Sequence, residues 1–209
     1  MHSCFEVGNS ATVVIDPHDG RSIGVKPPSL RADIVLISHD HFDHNAISVV
    51  RGDYVLVKDK TPRQIKGVDI RGINAFHDDV QGEKRGRVIL FQFTIGGVRF
   101  CHLGDLGHPL TEHQIEEIGP VDVLFIPVGG TFTIDGQQAR ELVLSVKPKV
   151  AIPMHFRVGG LSLSIKLWMS SCVEFLKKRS YASETKWISN STNCQKILNT
   201  GCFPSKITI

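Results

Sequence analysis

Seven residues, Ser38-His39-Asp40-His41-Phe42-Asp43-His44, hold three imidazoles and two carboxylates. Imidazole nitrogens and carboxylate oxygens are the donors that borderline divalent metals prefer. Burying so many ionisable groups without a cation would be costly. Read as an extended segment, His39 and His41 point the same way, Asp43 follows at the same period, and His44 points elsewhere. That geometry predicts two adjacent ions, one on the His39/His41 pair and one on Asp43/His44.

The elements that must position this cluster are also readable. Ile34-Val35-Leu36-Ile37 is a short apolar, β-branched run, which predicts a buried strand ending where the histidines begin. Strand ends collect sites because a rigid sheet fixes residues that a loop exposes. Residues 11–17 predict a strand ended by Pro17, and 88–95, Gly96-Gly97 and 98–100 predict a hairpin with a two-residue turn. The run Val121–Ile126 predicts a strand that opens into Gly129-Gly130-Thr131-Phe132-Thr133. Paired glycines let backbone N–H groups approach an anion, so Gly129, Gly130 and Thr131 are candidate substrate contacts; a tight turn explains them equally well. Asp135, ahead of the helical run 139–144, reads as an N-cap, and Thr111 opens another short helix with capping-box spacing. Residues 149–153 predict a strand that delivers His155, and Ile165, Trp168, Cys172, Phe175 and Leu176 mark one face of a helix between 164 and 178.

The motif His39-x-His41-x-Asp43-His44 resembles the signature of the metallo-β-lactamase superfamily. His77 in Asn74–Asp79 resembles its third histidine, Asp105 in His102–His108 its bridging aspartate, and His155 in Ile152–Phe156 its last histidine. With Pro127–Thr133, these segments are similar to the small metal-dependent hydrolases related to ascorbate-6-phosphate lactonase, over about His2 to about Phe175. The resemblance implies an α/β fold, a four-layer αβ/βα sandwich with the metals at one edge. It implies His39, His41 and His77 on the first ion, Asp43, His44 and His155 on the second, and Asp105 bridging. It further implies a dinuclear hydrolase in which a metal-bridging hydroxide cleaves a small ester, lactone or phosphoester, with Asp43 and Asp105 in the catalytic centre. Zinc suits the histidine-rich first site; the carboxylate-bearing second site also accepts manganese or iron. The alternatives on the same fold are a metal-dependent nuclease or phosphodiesterase and an iron-binding redox protein.

Other residues have simpler expectations. His108, three residues past Asp105, would orient substrate, donate a proton or support the site structurally. His102 reads as a hydrogen-bonded strand histidine, Cys101 and Cys172 as small core residues, and His2, His18 and His113 as surface residues. Asp78 and Asp79 would be solvated loop acids or hold His77, and Asp40 would face away from the ligand row.

Composition narrows the function classes. With 209 residues, 41% hydrophobic content and a mean hydropathy of -0.01, the chain reads as one globular domain over 1–209, neither disordered nor membrane-like, with a polar tail from 179. The net charge is only +3, and Lys177-Lys178-Arg179 is a single short run, so a nucleic-acid partner is not expected; a small-molecule substrate is. No apolar run reaches the length of a membrane span. Five cysteines without CxxC spacing fit free thiols in a reducing cytoplasm. Composition leaves a homo-oligomer open.

Overall fold

The computed structural model describes residues 2–8, 10–157 and 159–165, with the backbone of 186–187. In chain order the strands and helices are β1 (Phe5–Gly8), β2 (Thr12–Ile15), β3 (Leu30–Arg31), β4 (Ile34–Leu36), β5 (Val50–Arg51), β6 (Val55–Val57), β7 (Arg63–Ile65) and β8 (Val68–Phe76). There follow β9 (Arg87–Ile95), β10 (Val98–His102), α1 (Glu112–Ile118), β11 (Val123–Pro127), α2 (Gly136–Val146), β12 (Val150–Met154) and β13 (Lys186–Trp187).

Two sheets face each other. One has the order β1-β2-β4-β6 and the other β13-β12-β11-β10-β9-β8-β7. Strand periodicity decides what each residue covers. Val13, Ile15, Ile34 and Leu36 meet Phe91, Phe93, Phe100 and Phe125 between the sheets. The alternate residues Val14, Val35 and Ile37 face outward, where Leu30, Ala32 and Val50 of the β3–β5 ribbon cover them. Likewise Leu90, Cys101, Leu124 and Ile126 turn their backs on the sandwich and pack under Ile118 of α1 and Ala139, Leu142 and Val143 of α2. Strands buried on both faces read as continuous apolar runs, as those of this chain do. The arrangement is the expected αβ/βα sandwich.

The local signals held. Val98 pairs with Ile95, leaving Gly96-Gly97 as a two-residue turn with φ of +58° and +76°, the backbone that a hairpin turn of this hand requires. Thr111 and Asp135 each cap a helix in a full capping box with Gln114 and Gln138. Among the described residues no helix is long and apolar enough to cross a membrane. Trp168, Cys172, Phe175 and Leu176 lie outside the described residues, as do the expected edge strand at 205–209 and the polar tail apart from 186–187; Ile165 packs on Ile23 and Leu161.

Strand direction sets up the site. β2, β4 and β6 run parallel, as do β10, β11 and β12. β8 is antiparallel to β9, which is antiparallel to β10, so β8 shares the direction of β10. The segments carrying His39–His44, His77, Asp105 and His155 therefore all leave the carboxyl ends of parallel strands, where α/β sheets place their sites.

Candidate metal centre

Residues 38–44 are not extended. The His44 N–H donates to the His41 carbonyl at 3.0 Å, closing a turn. The turn replaces the strand-like alternation expected from sequence, yet the sorting of donors survives. His39 and His41 stand with His77, and Asp43 and His44 stand with His155; within each group the donor atoms lie within 4.8 Å of one another.

Asp105 Oδ2 is the common point. It lies 3.1 Å from His155 Nε2, 3.3 Å from His44 Nε2, 3.4 Å from His77 Nε2 and 4.0 Å from His39 Nε2. Those side chains are almost wholly buried. His39 Nε2, His44 Nε2 and Asp105 Oδ1 have no hydrogen-bond partner, although buried polar atoms are nearly always paired. Orphaned donors of nitrogen and oxygen type converging on one place fit a divalent cation.

The surrounding protein selects which nitrogen faces inward. Asp16 accepts from the Ser38 amide at 2.7 Å, from Ser38 Oγ at 2.6 Å and from His44 Nδ1 at 3.1 Å. With its hydroxyl hydrogen committed to Asp16, Ser38 Oγ accepts from His39 Nδ1 at 2.9 Å. His77 Nδ1 donates to the Phe132 carbonyl at 3.1 Å. In the neutral form of all three imidazoles the proton is held on Nδ1 and the Nε2 lone pair is turned to the centre, as metal-ligating histidines require.

Charge in this cluster is strained between burial and pairing. Burial alone would push the Asp105 carboxyl up, but His155 and His44 hold it well below the ordinary carboxylate range. Burial likewise opposes a charge on His44, yet the facing Asp105, Asp16 and Asp43 raise it well above the usual imidazole value. His39 goes the other way, lowered to about 3 by burial and by its neighbour His44.

Two close approaches need glycine. A Cβ on Gly107 would sit 2.3 Å from the Asp78 nitrogen, so its absence lets the Asp105 loop run against His77. A Cβ on Gly129 would sit 2.2 Å from the His155 carbonyl oxygen.

Several expectations require correction. The Gly130 N–H is taken by the Ile134 carbonyl at 3.2 Å and so is not offered to an anion; Thr131 stands exposed on the loop. The loop acts on the site through the Phe132 carbonyl instead. Both nitrogens of His108 serve the backbone, Nε2 accepting from the Phe76 N–H at 3.1 Å and Nδ1 donating to the Pro109 carbonyl at 2.7 Å, which removes it from proton transfer. Asp78 is neither solvated nor bonded to His77. It is buried and accepts from the amides of Val80, Gly82, Lys84 and Arg85, which hold its carboxyl down to about 2 although burial opposes that shift. His2 and His18 are buried rather than at the surface. Asp79, Asp40 and His113 are exposed, and His102 is buried with Nε2 donating to the Ser3 carbonyl at 2.9 Å.

Sequence reasoning missed Asp16, Ser38, the Phe132 carbonyl and His2. An acid ending an apolar strand was the signal for Asp16. The others had none short of the strand order. A cavity of about 560 Å³, lined by Arg63, Arg71, Thr94 and Arg99 among others, lies at the far end of β9 and β10 from Asp105 and gathers no comparable set of donors.

The family model of the β-lactamase superfamily domain matches residues 1–155. The chain belongs to this superfamily. A solved metallo-β-lactamase superfamily structure from Thermotoga maritima is 34% identical to it, with a TM-score of 0.72 over 89% of this chain and 93% of that one. A UPF0173 metal-dependent hydrolase of Thermococcus onnurineus is 27% identical over 182 residues, 74% of this chain and 81% of the relative. Another from Carboxydothermus hydrogenoformans is 29% identical over 164 residues, 63% of this chain and 70% of the relative. For this superfamily member, the matched residues 1–155 contain every donor assembled around Asp105.

Proposed function

We propose that this superfamily member is a metal-dependent hydrolase that uses two divalent ions to cleave a small ester, lactone or phosphoester. The similarity to metal-dependent hydrolases supports the general activity. The observation that carries the two-ion reading is one carboxylate oxygen, Asp105 Oδ2, within 4.0 Å of four imidazole nitrogens. His39, His41 and His77 would hold the first ion, Asp43, His44 and His155 the second, and Asp105 both. Zinc fits the imidazole-rich half best, and manganese or iron fits the carboxylate-bearing half as well.

When bound, the ions supply a water whose pKa falls from 15.7 to about 7 and polarise a carbonyl or phosphoryl oxygen. The chain's own residues prepare that chemistry. Asp16, Ser38 and the Phe132 carbonyl keep the Nδ1 protons outward, so His44, His39 and His77 need no rearrangement to act. Buried Asp105 and Asp43 concentrate negative charge where cations gather. His41 and Phe42 are exposed and edge the open side of the cluster; Phe42, 56% exposed, offers an apolar contact to a substrate.

Asp105→Ala tests the reading. Wild type should carry two equivalents of metal per chain and turn over members of a panel of lactones, esters and phosphoesters. The variant should keep its circular dichroism spectrum, lose metal and drop to the background rate. Full turnover by an Asp105→Ala protein would eliminate the bridging role.

A further inference from the structure

We propose that His2 is an additional ligand of the second ion, which the N-terminal segment thereby clasps; the inference rests on the two-ion reading above. His2 is 6% exposed, and its Nε2 lies 3.0 Å from Asp43 Oδ2. Its ring centroid is 4.5 Å from that of His155 and 5.2 Å from that of His44. One donor atom from each of His2, Asp43, His44 and His155 lies within 4.8 Å of the other three. With metal–ligand bonds of about 2.0–2.2 Å, donors sharing one ion stand about 3–4.2 Å apart, so this foursome is at most slightly wider than a coordination shell.

The fold holds His2 there for reasons unconnected with the histidine motif. β1 is antiparallel to β2, with Phe5 opposite Ile15, so the residues ahead of β1 emerge beside Asp16 on the rim that carries the site. Two ties fix that segment. The His155 N–H donates to the His2 carbonyl at 3.4 Å, and His102 Nε2 donates to the Ser3 carbonyl at 2.9 Å. His155 makes its contact with φ at +53°, a left-handed conformation that a non-glycine residue adopts only when its surroundings impose it.

The assignment divides labour between the ions. The second would have His2, Asp43, His44, His155 and Asp105, five protein donors, against His39, His41, His77 and Asp105 for the first. The first ion keeps the more open shell and the reacting position. The second is held more tightly and leaves last when a chelator is applied.

Two variants of the full chain decide the matter, with zinc titrated into metal-free protein against a chromophoric chelator. His2→Phe keeps the ring's bulk and removes its donor atoms. His2→Gln keeps an N–H that can donate to Asp43 but lacks the imidazole lone pair. Both should bind one equivalent as wild type does and the other at least about 100-fold more weakly, beyond the usual effect of losing a hydrogen bond to a ligand. Metal-free melting temperatures close to wild type would show that packing is intact. A His2→Gln protein that binds both equivalents normally overturns the assignment, since His2 would then serve Asp43 only as a hydrogen-bond donor. Normal binding by both variants overturns it too. A wild-type chain that binds fewer than two equivalents instead defeats the two-ion reading itself, with the inference following it.

Discussion

Asp16 takes three hydrogens at once, from the Ser38 amide, the Ser38 hydroxyl and His44 Nδ1. An amide at this position has one acceptor oxygen, and its NH2 would face a donor. Asp16→Asn should therefore weaken the ion held by His44 by about 10- to 100-fold, the usual effect of disturbing a ligand's support, measured by chelator competition. Affinity equal to wild type would mean that His44 keeps its tautomer without Asp16. The same residue shows where single-residue reading stops. His39, His41, Asp43 and His44 announce themselves by density of donors within one short run. Asp16 reads as an acid closing a strand before Pro17, and its partner Ser38 lies 22 positions on. His2 stands far from the histidine motif in sequence. Their roles come from strand pairing, which no local pattern encodes.

At the level of the element, short connections carry the tightest constraints. The Gly129–Thr133 loop presents a carbonyl to His77 and passes so close to His155 that a methyl group at Gly129 would meet its carbonyl oxygen at 2.2 Å. Overpacking of this kind typically costs about 1–3 kcal/mol. Gly129→Ala should lower the melting temperature by several degrees and displace His155, reducing bound metal by elemental analysis. An unchanged melting temperature and metal content would show that the loop yields without effort. Elements with local chemistry were legible in advance: the Gly96-Gly97 hairpin, the boxes at Thr111 and Asp135, and the apolar run of β4 all depend on neighbours in sequence. The backbone of 38–44 was misread because a single bond, from the His44 amide to the His41 carbonyl, folds it into a turn. Side-chain period cannot report a turn that the backbone makes with itself.

Across the whole molecule, charge pairing ties the larger sheet together away from the site. Asp122, just ahead of β11, accepts from Arg99 of β10 at 2.9 Å and meets Lys149, next to β12, at 2.9 Å. Burial would raise its carboxyl, but Arg99 and Lys149 hold it far below the ordinary carboxylate value. A depressed native value means that this contribution is complete above the unfolded value near 3.8 and is lost as pH falls through the native one. Both cationic partners are largely solvated, so the contribution at neutral pH is about 1 kcal/mol. Asp122→Asn should be less stable than wild type by about that amount at pH 7 in urea unfolding, and the gap should close as pH falls below about 3. A gap that stays constant with pH would assign the loss to packing instead.

Every donor around Asp105 sits at the end of a strand on one rim, and the segments that supply them start at His2 and finish at His155. No short stretch of chain can assemble the full set while the rest is unfolded. A slip of one residue in β12 would also turn His155 to the opposite face. On the metal-binding reading, capture of an ion would therefore be a late event that tests whether all the strands are in register. Contacts this distant in sequence form slowly. Once they have formed, an ion that binds only the finished sandwich draws the equilibrium forward, by about 2.7 kcal/mol at a hundredfold excess over its Kd. The centre proposed for the chemistry would then also work as a latch, closing only on a correctly folded chain.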